Sequence, residues 1–272
     1  MLVATICMNS GSNKAENVAQ AIDLVTEASE MGAKWVLLPE MFSYHGPYSA
    51  LLENSEFEHS QLMEELGKVS SSRGITLFAG TVPYKSSEVD QKRVFNSMFV
   101  FSPEGKIVSR YDKCHLFNLM GKNGERLYCE SDGYLEGDKP VAFDYEGFRI
   151  GLCTCYDLRF PMFFSKMSEA KPIDILVVPA AFTLKTGMAH WELLLRARAV
   201  ESQCFVVASN QYGPHGAGKE SFGHSMIIDP WGVKLGDTGA VSGVAYAKVN
   251  KSRIQDVREI LPALANRRPE IY

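Results

Sequence analysis

The chain lacks any hydrophobic run that approaches the ~20 residues needed to span a bilayer, so we expect no membrane association. It also lacks a basic surplus. With 28 Lys and Arg against 32 Asp and Glu the formal net charge is −4, and no basic face for nucleic acid is expected. Residues 1–8 carry no basic leader and are typical of a first β-strand, which favours a cytoplasmic protein.

Cysteine is scarce, and several familiar motifs are missing. Six cysteines in 272 residues are too few for a disulfide scaffold, so reduced thiols are expected. The sequence has no His-x-x-x-His pair, no Gly-x-Gly-x-x-Gly and no Gly-x-Ser-x-Gly. These absences argue against a metal site, a dinucleotide cofactor and a serine hydrolase of the elbow type. No linker or low-complexity tract interrupts residues 1–272, which favours a single domain.

Cys155 is the most informative residue that is present. It follows an apolar stretch and precedes a turn that ends at Pro161, so the pattern predicts a thiol at the end of a buried strand with a helix starting just after it. A helix N-terminus lowers a thiol pKa and offers free N–H groups to an oxyanion. The sequence therefore predicts a nucleophile, although a cysteine in an apolar strand is more often part of the core.

Two other segments support the catalytic interpretation. Residues 35–42 end an apolar run in Glu40, and residues 110–117 place Lys113 among aromatic neighbours. Taken singly, Glu40 is typical of a solvated carboxylate at a strand end, and Lys113 of a surface side chain. In this order, however, the three segments resemble the motifs of the nitrilase superfamily of carbon–nitrogen hydrolases.

The resemblance implies a catalytic triad of Glu40, Lys113 and Cys155, with Glu130 as a second family glutamate. It implies hydrolysis of a small-molecule amide through a thioester at Cys155, with no cofactor, and with Lys113 and the backbone N–H of Tyr156 holding the oxyanion. The similarity continues over residues 189–199, 222–232 and 261–272.

Alternation of strand and helix patterns predicts an α/β fold. The resemblance adds a four-layer αββα sandwich and assembly as a homodimer or higher homo-oligomer. Residues 75–82 are expected to form one continuous strand, and residues 118–138 an irregular loop that carries Glu130.

Four further residues are candidates for substrate binding: Arg159, Phe117, His115 and Phe182. For Arg159 a structural ion pair with Asp157 is favoured over contact with an anionic substrate, and a single histidine is more often a packing residue.

The Tyr-Asp pair after Cys155 resembles amidases of the Nit branch, in which two activities compete. Residues 199–204 and 222–226 look closer to amidases of deaminated glutathione, while ω-amidases of α-ketoglutaramate or α-ketosuccinamate are the alternative. A catalytically silent scaffold is the remaining, non-enzyme hypothesis.

Overall fold

Two β-sheets packed face to face form the centre of the molecule in a computed structural model, which describes residues 1–86, 92–216 and 218–271. The described residues form 18 strands: β1 (Leu2–Cys7), β2 (Trp35–Leu37), β3 (Thr76–Phe78), β4 (Val82–Tyr84), β5 (Val94–Phe101), β6 (Ile107–Asp112), β7 (Asn118–Met120), β8 (Arg126–Cys129), β9 (Tyr134–Leu135), β10 (Val141–Tyr145), β11 (Phe148–Leu152), β12 (Ile175–Ala180), β13 (Phe205–Asn210), β14 (Tyr212–Gly216), β15 (Lys219–Phe222), β16 (Met226–Ile228), β17 (Lys234–Asp237) and β18 (Gly243–Lys248). Their α-helices are α1 (Lys14–Glu30), α2 (Gln61–Arg73), α3 (Pro161–Met167), α4 (Leu184–Ser202) and α5 (Lys251–Ile260).

The first sheet has the strand order β18-β1-β2-β3-β5-β4, with β6 and β9 also paired to β5. The second has the order β10-β11-β12-β13-β16-β17. Strands β1, β2 and β3 are mutually parallel, and so are β11, β12 and β13. Because the chain returns to the same end before each parallel strand, the residues that follow these strands gather at common edges.

Side chains alternate between the two faces of each sheet. On β1, Val3 joins the cluster between the sheets and the Thr5 hydroxyl donates to the Ala208 carbonyl of the second sheet at 2.7 Å. Ala4 and Ile6 point the other way and pack in the cluster that includes α1 and α2. Helices α3 and α4 cover the second sheet through side chains such as Trp191, Leu195 and Phe164. The predicted four-layer αββα sandwich is confirmed.

Two predictions of local structure are wrong. The predicted strand over residues 75–82 is broken into β3 and β4, because the backbone of Gly80 adopts φ +47°, which is not an extended conformation. Only glycine fits there, since a Cβ at this position would lie 2.0 Å from the Pro39 carbonyl oxygen. The predicted loop over residues 118–138 contains the antiparallel hairpin β7–β8 and strand β9. Strands this short carry too few alternating residues to be recognised in a sequence.

No helix in the described ranges combines the length and the apolar character that crossing a bilayer requires. Tyr272, the last residue of the C-terminal similarity, lies outside the described residues.

Candidate active site

The four residues of the predicted catalytic group all lie just beyond strands. Glu40 follows β2, Lys113 follows β6, Cys155 follows β11, and Glu130 follows β8 at the start of a short 3₁₀-helix. Strands of both sheets therefore deliver these side chains to one place, although the residues are up to 115 positions apart in sequence (155 − 40). All four line the same cavity.

Cys155 begins a 3₁₀-helix, Cys155–Arg159, and its backbone has φ +47°, in the left-handed region. The fully buried Asp157 carboxylate accepts a hydrogen bond from the Thr154 backbone N–H at 2.8 Å and fixes this turn. An α-helix does follow, but it begins only at Pro161. The nucleophile candidate thus sits on a tight turn between strand and helix.

The expectation that a helix N-terminus lowers the Cys155 pKa is wrong. Burial raises this pKa well above its usual value, and the negative charge of Glu40 raises it further. The positive charge of Lys113 and the Ala181 backbone act in the opposite direction without reversing the shift. The thiol is therefore neutral at physiological pH and needs a base to become nucleophilic.

Lys113 is buried between two carboxylates. Its Nζ donates to Glu40 Oε1 at 2.9 Å and to both oxygens of Glu130, at 2.9 and 2.8 Å. Burial by itself lowers the pKa of Lys113, but the charges of Glu130 and Glu40 outweigh it and hold this pKa well above its usual value. Lys113 is consequently a fixed cation, and it neutralises part of the charge that two buried glutamates bring.

Asn96 completes this network, although none of the motifs described above includes it. Its Nδ2 donates to Glu40 Oε1 at 2.9 Å and to Glu130 Oε1 at 3.2 Å, so one amide holds both carboxylates. Asn96 lies in the otherwise largely apolar strand β5 and is 1% exposed. An asparagine in such an apolar strand is the signal that could have identified it, because a buried amide costs free energy unless it finds partners; Nδ2 has two, whereas Oδ1 has none among the described residues.

The two glutamates have different further partners. Glu40 Oε2 accepts from the Ala181 backbone N–H at 2.8 Å, whereas Glu130 Oε2 accepts from the Phe117 backbone N–H at 2.6 Å. For Glu130, burial raises the pKa, the charge of Lys113 opposes the rise, and the charge of Glu40 adds to it, so the net shift is upward. Glu40 also lies beside Cys155, whose pKa it raises, whereas Glu130 contacts Lys113 through both carboxylate oxygens.

The cavity above these residues has a volume of about 510 Å³, which is within the range of small-molecule sites. Its wall away from the four residues is formed in part by His45, Leu119, Tyr128, Lys185, Met188, His215 and Lys219. A smaller cleft of about 20 Å³ opens beside Cys155 and has room for about one water-sized group. The two spaces share Cys155, Phe117, Ala181 and Thr183 as lining residues.

Three of the four candidate substrate-binding residues line these spaces. Phe117 borders both, while Arg159 and Phe182 border the smaller cleft. The Arg159 guanidinium lies 5.4 Å from the centre of the Phe182 ring, and both terminal nitrogens lie 3.4 Å from His190 Nδ1. A cation therefore stands next to the candidate nucleophile.

The predicted ion pair between Asp157 and Arg159 is wrong. Asp157 instead accepts from the Tyr111 hydroxyl at 2.6 Å and from the His115 backbone N–H at 3.1 Å, and its Oδ1 lies 2.6 Å from His115 Nδ1. Because these groups and the Thr154 N–H occupy the carboxylate, Arg159 is left for other partners. Among the described residues, Arg159 makes no salt bridge within 4.0 Å.

The structure places His115 behind the nucleophile turn. Its ring stacks on Phe160 with centroids 3.8 Å apart, and its Nδ1 faces Asp157. Neither of the two cavity walls described above includes it. The histidine thus supports the turn that carries Cys155. In the part of the chain that the structure describes, no group of three or more His, Cys, Asp or Glu side chains is arranged to hold a metal ion.

Comparison with known proteins gives one family. The family profile described as "Carbon-nitrogen hydrolase" matches residues 2–259. A deaminated glutathione amidase of Synechocystis sp. is 37% identical over 268 residues, which are 98% of this chain and 97% of that protein. Human omega-amidase NIT2 is 33% identical over 99% of this chain and 96% of its own length.

Solved structures agree. The C. elegans NitFhit protein superposes with a TM-score of 0.91 at 31% identity, covering 100% of this chain and 66% of the longer C. elegans chain. Saccharomyces cerevisiae Nit3, described as a member of branch 10 of the nitrilase superfamily, superposes with a TM-score of 0.88 at 25% identity over 100% of this chain and 97% of its own.

Proposed function

Because this chain belongs to the carbon–nitrogen hydrolase family, we propose that it hydrolyses a small linear amide with Cys155 as nucleophile and Glu40 as general base and acid. The observation that carries the proposal is the buried arrangement of Glu40, Lys113 and Glu130 around one thiol at the base of a cavity. A neutral thiol, a carboxylate beside it and a fixed cation are the three groups that acyl transfer to sulfur requires.

In the first half of the reaction, Cys155 Sγ attacks the amide carbonyl carbon while its proton passes to Glu40. The raised pKa of Cys155 supports this order, since the thiol gives up its proton only when a base accepts it. The carbon–nitrogen bond then breaks as Glu40 returns the proton to the leaving nitrogen. The amine departs, and the acyl group stays on sulfur as a thioester.

In the second half, water attacks the thioester while Glu40 accepts a proton from it. The carbon–sulfur bond breaks, the proton returns to Cys155, and the carboxylic acid is released. Ammonia or an amine and an acid are thus the two products, and no oxidant, reductant or cofactor enters the balance.

The negative charge that develops on the carbonyl oxygen needs donors at both halves of the reaction. Lys113 Nζ supplies a fixed positive charge that burial keeps free of water. Tyr156 is the second residue of the 3₁₀-helix, where backbone N–H groups have no partner within the helix, so its N–H is the second donor. Glu130 holds Lys113 from the far side and is a positioning residue.

For the substrate, we propose an α-keto-acid amide, with deaminated glutathione first and the ω-amidase substrates α-ketoglutaramate and α-ketosuccinamate as the alternative. Relatives at 37% and 33% identity carry the two corresponding names. The cavity volume of about 510 Å³ favours the larger substrate. Arg159, which borders the small cleft, suits the carboxylate of the keto acid.

We further propose that residues 1–272 act as a single domain in the cytoplasm and assemble as a homodimer. Exposed apolar side chains on α4, at Met188, Leu193 and Val200, and on the neighbouring turn at Trp231 support an interface on this helical layer.

The test is product release from a panel of deaminated glutathione, α-ketoglutaramate, glutamine and a simple nitrile, with wild type beside Cys155→Ala. We expect wild type to prefer the first compound and the variant to lose activity by more than about a thousandfold, because removal of a nucleophile eliminates the covalent route. Alkylation by iodoacetamide that is fast and selective for Cys155 over the other five thiols would indicate an active site, whereas uniform slow labelling would indicate a silent scaffold. Substantial activity in Cys155→Ala would refute the mechanism.

A further inference from the structure

We propose that Lys219 is a specificity residue that binds a carboxylate on the leaving-amine side of the substrate. This inference rests on the proposed amidase function and adds a second anion site to it. The inference starts from the position of the Lys219 side chain over the rings of Tyr48 and Tyr128, which we call the aromatic platform. Lys219 Nζ lies 4.6 Å from the centre of the Tyr128 ring and 5.5 Å from that of Tyr48.

The two rings hold Lys219 in place and leave its charge available. Stacking over aromatic faces is attractive for an ammonium group but does not neutralise it as a carboxylate would. Among the described residues, no carboxylate lies within salt-bridge distance of Lys219. By contrast, Lys113 in the same cavity is fully paired with Glu40 and Glu130. For a substrate carboxylate the cavity therefore offers Lys219 on the platform and Lys185 on α4, whereas Lys113 is held in the catalytic group and serves the oxyanion.

A pair of histidines stands next to the platform. His45 and His215 have ring centres 4.1 Å apart, and both line the cavity. Both nitrogens of His215 are engaged, since Nδ1 lies 2.8 Å from the Ser10 carbonyl oxygen and Nε2 lies 2.8 Å from the Ser221 hydroxyl. His45 Nδ1, however, is buried and has no hydrogen-bond partner in the described part of the chain. A ligand atom would satisfy it.

The charge state of this pair is set by its surroundings. Burial holds the pKa of His45 well below its usual value, and the nearby His215 and Lys219 lower it further. Burial also lowers the pKa of His215. At neutral pH the histidines are therefore uncharged hydrogen-bonding groups. Lys219, whose pKa is lowered by burial, is the cation beside them, and Lys185 on α4 is a second lysine in the cavity wall.

The position of Glu40 decides which end of the substrate meets Lys219. Glu40 must reach the leaving nitrogen, and it lines the large cavity but not the small cleft. The leaving group therefore extends into the large cavity, where Lys219 lies. At the acyl end, Arg159 beside Cys155 is the cation available for the keto-acid carboxylate. The chemistry that fits is an amide whose amine portion carries its own carboxylate, as an amino acid or a short peptide does.

The experiment compares three substrates with the same acyl group. Deaminated glutathione has a carboxylate on its leaving group, its C-terminal carboxamide has a neutral end, and α-ketoglutaramate releases only ammonia. For Lys219→Met we expect KM to rise and kcat/KM to fall about 10- to 100-fold on deaminated glutathione, the size of a hydrogen bond to a charged group, with little change on the other two. Lys219→Arg should recover part of the loss.

Lys122→Met, which removes an exposed lysine outside the cavity lining, is the matched control and should match wild type on all three substrates. Equal losses on the three substrates would overturn the inference, because Lys219 would then serve the acyl end or the fold. Unchanged kinetics in Lys219→Met would overturn it as well. Wild type that hydrolyses none of the three would refute the proposed function itself and this inference with it.

Discussion

Replacing Lys113 by methionine should make the stability of the protein depend steeply on pH. In wild type its Nζ lies within 2.9 Å of both Glu40 and Glu130, and all three side chains are at most 2% exposed. Lys113→Met fills a similar volume but leaves two buried carboxyl groups without a cation. Removing one partner of a buried ion pair costs about 3–5 kcal/mol, so we expect a loss of that size in the free energy of unfolding at pH 8.

The sign of the pH dependence follows from proton binding. Without Lys113, burial and mutual repulsion raise the pKa of the carboxyl pair above the unfolded value of about 4.3. Between the unfolded and the folded pKa, the folded variant binds more protons than the unfolded chain, so its stability falls as pH rises. Lowering the pH from 8 should therefore restore up to about 1.4 kcal/mol per unit until one carboxyl group is protonated.

Wild type lacks this steep trend. In wild type, folding raises the pKa of Lys113. The stabilisation from this lysine is therefore fully present below its pKa in the unfolded chain, about 10.4, and is lost only as pH rises through its higher pKa in the folded protein. The raised pKa of Glu130 gives wild type a weaker decline of the same sign as in the variant, so the difference between the two proteins is the quantity to measure.

Urea denaturation at several pH values and a fixed protein concentration gives the free energies. Lys234→Met is a matched control, since Lys234 also bridges two carboxylates, Glu192 at 3.0 Å and Asp237 at 2.9 Å, but on the surface. It should cost no more than about 1 kcal/mol. Equal losses in the two variants, or a stability of Lys113→Met that rises with pH, would refute this account of the buried network.

Two further predictions concern the thiol and the assembly. Glu40→Gln should reduce turnover by several orders of magnitude, because the general base is lost. It should also shift alkylation of Cys155 to lower pH, since it removes a negative charge that raises the thiol pKa and leaves the positive charge of Lys113 beside the thiol. An unchanged pH profile of alkylation would contradict this. In analytical ultracentrifugation, wild type should sediment as a dimer and Leu193→Asp as a monomer, because Leu193 is 65% exposed on the proposed apolar interface. A monomeric wild type would refute the proposed dimer.

Sequence patterns were sufficient for many of the longer helices and strands, because long elements carry many periodic residues. Strands β5 and β6, for example, flank the turn sequence Ser102-Pro103-Glu104-Gly105 and pair antiparallel. The four-layer arrangement, by contrast, came from family resemblance, because periodicity does not reveal that two sheets face each other. Local structure can also be decided by a contact that is distant in sequence, as at Gly80 against the Pro39 carbonyl. There the local pattern predicted one continuous strand over residues 75–82, whereas the structure has the two short strands β3 and β4.

The candidate site shows the same division. Motifs identified Glu40, Lys113, Glu130 and Cys155, which the fold brings to one cavity. They did not identify Asn96, whose importance depends on two carboxylates that are distant in sequence. They also could not predict the direction of the Cys155 pKa shift, because burial and the charge of Glu40 exist only after folding.

The left-handed backbone at Cys155, φ +47°, limits which amino acids can serve as the nucleophile. A residue branched at Cβ is a severe conformational outlier in this region, so threonine is excluded on backbone grounds before its reactivity is considered. Of the side chains with a single nucleophilic atom on Cβ, only cysteine and serine remain. A buried serine would need a far stronger base than the carboxylate at Glu40 supplies, which leaves sulfur as the atom that both this turn and this base accommodate.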